Sequence, residues 1–134
     1  MGNAPRALAL AAILSGLASA PSAAAMDRAL RESLSTLDPE TRFVQVCDLA
    51  AMDSLAKDKS HFRPEHAMVD YLGRPNQKGD TLEGKGAVFR SRGDWYRFTF
   101  TCTTSDDHYE VTSFRYKVGD KIPREEWDEL NLFP

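Results

Sequence analysis

The chain has 134 residues, a length typical of one domain. Its 20 acidic and 17 basic side chains give a net charge of −3 at pH 7, which excludes the basic surplus that general nucleic-acid binding requires. Any anion-binding surface must therefore be a local concentration of positive charge.

The N-terminal segment has the features of a secretory signal peptide. Arg6 is the only charged residue among the first 25, and the apolar run Ala7–Leu17 is followed by small residues. The earlier of two small-residue cleavage sites would place Pro21 directly after the cut, where proline is disfavoured. We therefore expect a signal peptide of residues 1–25, cleaved after Ala25, and a mature chain that starts at Met26.

The remaining chain has no second apolar stretch long enough to span a bilayer, and no cysteine near the cleavage sites could carry a lipid. We expect residues 26–134 to form one soluble domain that is periplasmic or secreted.

The chain contains two cysteines, Cys47 and Cys102, and both belong to the part expected to be exported. An oxidising compartment favours one intramolecular disulfide between them. The alternatives are two buried free thiols or a metal pair. No nearby cysteine or histidine spacing supports a metal site.

The first part of the mature chain predicts two helices. Leu30, Leu34 and Leu37 follow the spacing of one helical face in the segment Met26–Leu37. Asp38 followed by proline is a favoured helix start, so a second helix is expected to run to about Ala56, with Cys47 on its apolar stripe.

The second part of the mature chain predicts strands separated by turn-forming residues. The segment from Gly73 to Gly86 is rich in glycine, proline and asparagine, and it indicates a long loop. The expected strands are His66–Leu72, Lys85–Arg90, Asp94–Thr104 and Glu110–Val118, followed by a short terminal helix, Pro123–Leu130.

Side-chain alternation indicates how these strands pair. A two-residue turn at Arg92 and Gly93 would place Phe89 opposite Tyr96. Aromatic pairing favours Phe100 opposite Phe114 in the next hairpin. Both hairpins place Cys102 on the core face, so the sequence predicts an α+β fold: a mainly antiparallel four-stranded sheet, N-terminal helices packed on one face, and a helix-to-sheet disulfide.

The opposite, outer face of this sheet is the candidate binding face, because cations concentrate there in an acidic protein. The predicted register sets Arg97 opposite Lys117, which requires a nearby negative charge. The acidic segment around Trp127 could supply it as a lid; a solvated face and a binding surface are the other interpretations. The candidate binding residues are Arg90, Trp95, Arg97, Arg115 and Lys117.

Motifs for catalysis, metal binding or phosphate binding are absent from the sequence, and we expect no cofactor. His61 and His66 flank Pro64, where a regular helical ligand pair is improbable. Arg92-Gly93-Asp94 is explained by a turn. Asp107 and His108 also fit a hairpin turn, but they provide the alternative function of a small exported hydrolase.

A set of short stretches in the mature region carries a family resemblance. They are Pro39–Arg42, Gln45–Asp48, Phe62–Glu65, Gly86–Cys102 and Val118–Trp127. Together they resemble a family of exported bacterial proteins known as domain of unknown function 930. The resemblance implies an exported protein of a Gram-negative bacterium, but it implies no activity and no catalytic residues.

These observations lead to one functional hypothesis. We expect a non-catalytic binding or structural protein of the cell envelope, whose partner is an envelope protein or an anionic cell-wall component. We expect no nucleic-acid partner and no membrane span in the mature form.

Overall fold

The computed structural model describes residue 2 and residues 23–134, with side chains from Asp27 onward. The predicted signal peptide lies outside these described residues except for Gly2 and the backbone of residues 23–25, so cleavage after Ala25 stays a prediction. None of the described helices combines the length and the apolar character needed to cross a membrane.

Two helices open the described chain, as the sequence predicts: α1 spans Ala23–Ser35 and α2 spans Pro39–Ala56. The Asp38 carboxylate caps α2 by accepting hydrogen bonds from the backbone N–H and the hydroxyl of Thr41, at 3.0 and 2.6 Å. These two bonds lower the pKa of Asp38. The buried face of α2 carries Phe43, Val46, Cys47, Ala51 and Leu55.

The rest of the described chain forms one antiparallel sheet with strand order β1-β3-β4-β5, and the short β2 pairs with β3 beyond the end of β1. The sheet therefore has one strand more than the four predicted. The strands are β1 (Pro64–Met68), β2 (Asn76–Lys78), β3 (Thr81–Ser91), β4 (Asp94–Thr104) and β5 (Val111–Lys121).

Several predicted boundaries are wrong. The first helix, predicted at Met26–Leu37, is Ala23–Ser35, and the last strand, predicted to end at Val118, ends at Lys121. The long loop at 73–86 instead holds β2 and the first half of β3, which form a hairpin whose turn includes Gly79 at φ 58°. The strand predicted at His66–Leu72 lies earlier in the chain, because residues 69–73 form turns and bends that lead towards β2. The predicted terminal helix reduces to one 3-10 turn, Arg124–Glu126.

The glycines of β3 serve close packing rather than a loop. β3 has a bulge between Gly84 and Ala87, where the chain comes close to the segment that precedes β2. A Cβ atom on Gly86 would lie 2.7 Å from the backbone nitrogen of Gly73. Glycine is needed there because any side chain would displace backbone atoms.

The predicted register is confirmed for one hairpin and wrong for the other. Phe89 pairs with Tyr96 across β3 and β4, as expected. Across β4 and β5, however, Phe100 pairs with Tyr116 rather than with Phe114. Pairing begins one residue later along β5 than predicted, with Thr104 opposite Val111. An irregularity at Thr112 then shifts the register by a second residue. The resulting shift of two leaves residues 113–118 on their predicted faces, whereas Val111 pairs with Thr104 and packs against the main core.

The sheet is packed on both faces. The main core lies between the helices and the inner face, where a disulfide joins Cys47 of α2 to Cys102 of β4 with Cα atoms 6.0 Å apart. This confirms the predicted helix-to-sheet bridge. A second, smaller core lies on the outer face beneath the C-terminal segment, which we define as residues 122–134. It contains Val88, Trp95, Ile122, Trp127 and Leu132.

Candidate functional site

The predicted binding residues lie on the outer face, but the fold divides that face into two parts. The covered half lies around Val88 and Trp95, under the C-terminal segment. The open half extends towards β2 and is exposed to solvent. Arg90, Trp95 and Arg97 belong to the covered half, whereas Arg115 and Lys117 belong to the open half.

Trp95 is fully buried in the covered half, so it is not exposed to an external ligand. Its Nε1 donates a hydrogen bond of 2.9 Å to the Phe133 carbonyl oxygen, and its own carbonyl accepts one from the Ile122 N–H at 2.8 Å. The terminal segment therefore continues from the end of β5 and folds back over this indole.

The C-terminal segment is attached mainly by apolar burial. Trp127 is 4% exposed and donates its Nε1–H to the Ile122 carbonyl at 2.9 Å. The Tyr71 hydroxyl donates a 2.7 Å hydrogen bond to the Asn131 carbonyl, which links the segment to the chain after β1. The C-terminal segment therefore covers this half of the outer face, and its Trp127 is part of the second core.

Arg90 is enclosed by the same segment. Its guanidinium lies 5.0 Å from the Phe133 ring centroid, and its Nη1 donates a 3.0 Å hydrogen bond to the Pro134 carbonyl oxygen. Its Nε is 3.1 Å from a Glu65 carboxylate oxygen but is not aligned as a hydrogen bond. Arg90 therefore holds the chain terminus in place and is not free for an external anion.

Arg97 has a counter-charge from the terminal segment. Its guanidinium lies 3.6 Å from the Glu126 carboxylate. Both side chains are more than a third exposed, so this ion pair contributes little stability. The predicted opposition of Arg97 and Lys117 is wrong, because the two-residue shift pairs Lys117 with Thr99.

The open half is a groove of about 580 Å³ with an excess of positive charge. Lys85, Arg115 and Lys117 are exposed there, and no carboxylate among the described residues lies within 4.0 Å of their charged groups. Thr99 and Thr101 contribute hydroxyl groups between the strands that carry these cations.

Two further charged side chains of the groove are already paired. Arg74 lies 3.5 Å from Glu40 of α2, and Glu83 lies 3.5 Å from Lys78 of β2. The three cations Lys85, Arg115 and Lys117 therefore dominate the field of the groove. We call them the cation triad.

The residues of the alternative hydrolase do not form a catalytic arrangement. The Asp107 carboxylate accepts hydrogen bonds from the Ser105 hydroxyl at 2.7 Å and the Tyr109 N–H at 3.2 Å, and the pKa of Asp107 is lowered chiefly by the first. His108 stacks on Phe43 and places Nδ1 2.9 Å from the Thr104 hydroxyl. The described side chains show no hydrogen bond between Asp107 and His108.

The Arg92-Gly93-Asp94 tripeptide and the two histidines that flank Pro64 have local structural roles. Arg92 and Gly93 adopt φ values of 52° and 82° in the predicted two-residue turn between β3 and β4. His66 stacks near Trp95 and meets Phe133 edge to face, whereas the His61 N–H donates a 3.0 Å hydrogen bond to the Asp58 carbonyl and closes the turn after α2. In the described part of the chain, no group of three potential metal-ligating side chains comes together.

Sequence reasoning missed Lys85 as a site residue and Asp48 as a partly buried acid. Lys85 begins the predicted strand Lys85–Arg90, but strict alternation puts it on the same face as Ala87 and Phe89. The bulge between Gly84 and Ala87 breaks this alternation, and Lys85 lines the outer groove. Asp48 follows Cys47 on α2, and its Oδ1 accepts a 2.8 Å hydrogen bond from the Val69 N–H. Burial raises the pKa of Asp48 to about 7.

Comparison with known proteins gives one match. The family model of a Domain of Unknown Function (DUF930) matches residues 34–132, which include α2, the whole sheet and most of the C-terminal segment. No curated protein and no solved structure is significantly similar to the chain.

Proposed function

The chain belongs to the DUF930 family, and we propose that this member is an exported, non-catalytic protein of the bacterial cell envelope that binds an anionic partner. The observation that supports this function best is the cation triad, which has no carboxylate of the described residues within 4.0 Å of its charged groups in a protein of net charge −3. The disulfide is typical of proteins outside the cytoplasm and fits the export part of the proposal.

The chemistry of the groove favours an anion with several oxygen acceptors. The planar guanidinium of Arg115 can bind a carboxylate or phosphate with two parallel hydrogen bonds, whereas Lys85 and Lys117 act as compact point charges. The hydroxyls of Thr99 and Thr101 can donate further hydrogen bonds. The open groove suits a chain-like anion that contacts several cations at once.

The test of binding compares reversal of two groove cations with a matched reversal elsewhere. The double variant Arg115→Glu/Lys117→Glu should bind poly-L-glutamate and inorganic polyphosphate at least roughly tenfold more weakly than the wild type, at low ionic strength. The control is Arg28→Glu/Lys59→Glu, which makes the same change in net charge at exposed positions of α1 and of the turn after α2.

Equal weakening by both variants would show that net charge alone attracts these polymers, and the groove would then have no special role. Unfolding in urea should show both variants within about 1 kcal/mol of the wild type, the usual scale for surface substitutions. A larger loss in the groove variant would mean that its cations support the fold.

Export has a separate test. Protein recovered from the periplasm or the medium should have Met26 as its first residue. A chain that retains Arg6 would show that the apolar segment stays attached, and the export proposal would then have to include a membrane anchor.

A further inference from the structure

β5 is the outermost strand on one side of the sheet. Within the described residues it pairs with β4 alone, and none of its eleven residues is fully buried. Every second residue of an edge strand directs its N–H and C=O away from the sheet. An extended peptide can satisfy these groups by adding as a further strand.

The two faces of β5 differ sharply in chemistry. Its outer face carries Arg115 and Lys117 of the cation triad. Its inner face carries Phe114, which packs partly exposed against the main core. A strand paired with β5 would place alternate side chains beside these two surfaces, because side chains on one face of neighbouring strands lie about 5 Å apart.

A groove continues the inner face beyond β5. We call it the apolar groove after the leucines and Phe114 that line it; its lining also includes Asp27 and Asp53. Its volume is about 730 Å³, and it lies between both helices and the start of the strand. Leu30 of α1 and Leu49 of α2 line it with side chains 45% and 38% exposed, whereas most large apolar side chains of the described chain are buried. Further along β5, the Tyr116 hydroxyl donates a hydrogen bond to the Asp58 carboxylate.

A second copy of the chain does not suit this edge. Two-fold antiparallel pairing centred on Tyr116 would set Arg115 of each copy opposite Lys117 of the other. Centring the pairing on Arg115 or Lys117 would set that cation opposite itself. Like charges directly opposite are destabilising, so the charges of β5 oppose self-association and favour an acidic strand.

We propose that β5 binds an extended peptide as an additional strand, and that this peptide carries acidic side chains at alternate positions with apolar side chains between them. The acidic side chains contact Arg115 and Lys117, and the apolar ones enter the groove beside Leu49 and Phe114. This inference rests on the proposed function, because it specifies the anionic partner as a peptide.

The test uses an acetylated and amidated heptapeptide of alternating glutamate and valine. All glutamates of such a strand direct their backbone N–H to one side and all valines to the other. N-methylation of one set should therefore weaken binding at least tenfold, whereas N-methylation of the other set should leave the affinity within about threefold, since only one set faces β5. Equal binding of both methylated peptides would overturn strand addition.

Two further comparisons test the side chains. Leu49→Ser should weaken the glutamate–valine peptide several-fold and leave a glutamate–serine peptide of equal charge unchanged. Hydrogen exchange should slow at alternate amides of residues 111–121 when the first peptide binds. An equal loss of affinity for both peptides would contradict the role of the apolar groove. Unchanged hydrogen exchange at residues 111–121 would contradict binding at the edge of β5.

The outcomes separate this inference from the proposed function. If polyphosphate and poly-L-glutamate bind through Arg115 and Lys117 while both methylated peptides bind equally, the strand inference is wrong and the anion-binding function stands. If Arg115→Glu/Lys117→Glu changes the affinity for none of these probes, both proposals fail.

Discussion

Trp95 and Phe133 are joined twice across the outer face of the sheet. The Trp95 Nε1–H donates a 2.9 Å hydrogen bond to the Phe133 carbonyl oxygen, and the two rings meet edge to face with centroids 5.2 Å apart. A buried indole N–H needs an acceptor, and here only the far end of the chain supplies one among the described residues. The C-terminal segment is therefore part of the folded core rather than a cover that can be removed without consequence.

The C-terminal segment should contribute strongly to stability through Trp127. The substitution Trp127→Ala empties a site in the second core, and we expect it to lower the free energy of unfolding by about 3–5 kcal/mol. Urea denaturation followed by circular dichroism measures the loss. Phe133→Ala is the control, because that side chain is 47% exposed and should cost distinctly less. Equal losses would show that the second core is not the source of the stability.

The disulfide should account for a large part of the stability. Its cysteines are separated by 55 residues, and the chain-entropy relation gives about 4 kcal/mol for closing such a loop. We expect Cys47→Ala/Cys102→Ala to lose an amount of this order in urea denaturation. Reduction of the wild type should raise the intact mass by two hydrogens and cause a similar loss. Free thiols in the oxidised, folded protein would disprove the bridge.

Asp48 should make stability depend on pH. Burial raises its folded-state pKa from 3.8 to about 7, so folding favours the protonated form. The protonated carboxyl therefore makes its full contribution to the free energy of unfolding below about pH 4. This contribution is lost as pH rises through about 7, and it is absent above that range. Asp48→Asn keeps an oxygen acceptor for the Val69 N–H without the charge. We expect the variant to exceed the wild type by roughly 2–4 kcal/mol at pH 8 and by little at pH 4.

The control for this experiment is Asp53→Asn, which removes an exposed carboxylate from the same helix. This control should not reproduce the gain at pH 8. Equal behaviour of the two variants across the pH series would show that burial of Asp48 does not penalise its charge.

The close approach at Gly86 should be intolerant of a side chain. The added methyl group of Gly86→Ala would lie 2.7 Å from the Gly73 nitrogen, so the hairpin of β2 and β3 must shift. We expect a loss of about 1–3 kcal/mol, the usual cost of overpacking. Gly73→Ala is the matched control, because nothing lies within 4 Å of its added Cβ. Thermal unfolding of both variants distinguishes the two positions.

Local patterns in the sequence determined much of the architecture. The Asp-Pro pair marks the start of α2, because the side chain of Asp38 satisfies an unpaired N–H of the first turn. The alternation along β4 places Phe98, Phe100 and Cys102 on the core face, since successive side chains of a strand point to opposite sides. These two periodicities also aim Cys47 and Cys102 at each other, so the disulfide followed from the sequence alone.

Only the tertiary structure decided the register of β5 and the role of the C-terminal segment. A shift of two residues preserves the alternation of faces, so the pattern around Phe114 and Tyr116 cannot distinguish the two registers. The irregularity at Thr112 completes the two-residue shift, which places Lys117 opposite Thr99 instead of Arg97.

The sequence identified the outer face and its cations, but it could not show that one half of that face is covered and the other half is open. The burial of Trp95 depends on Trp127 and Phe133, which are more than 30 positions further along the chain. Contacts at such separation follow from the packing of the whole chain, whereas alternation and helical spacing depend on immediate neighbours. For that reason the covered half and the cation triad could be separated only in the folded molecule.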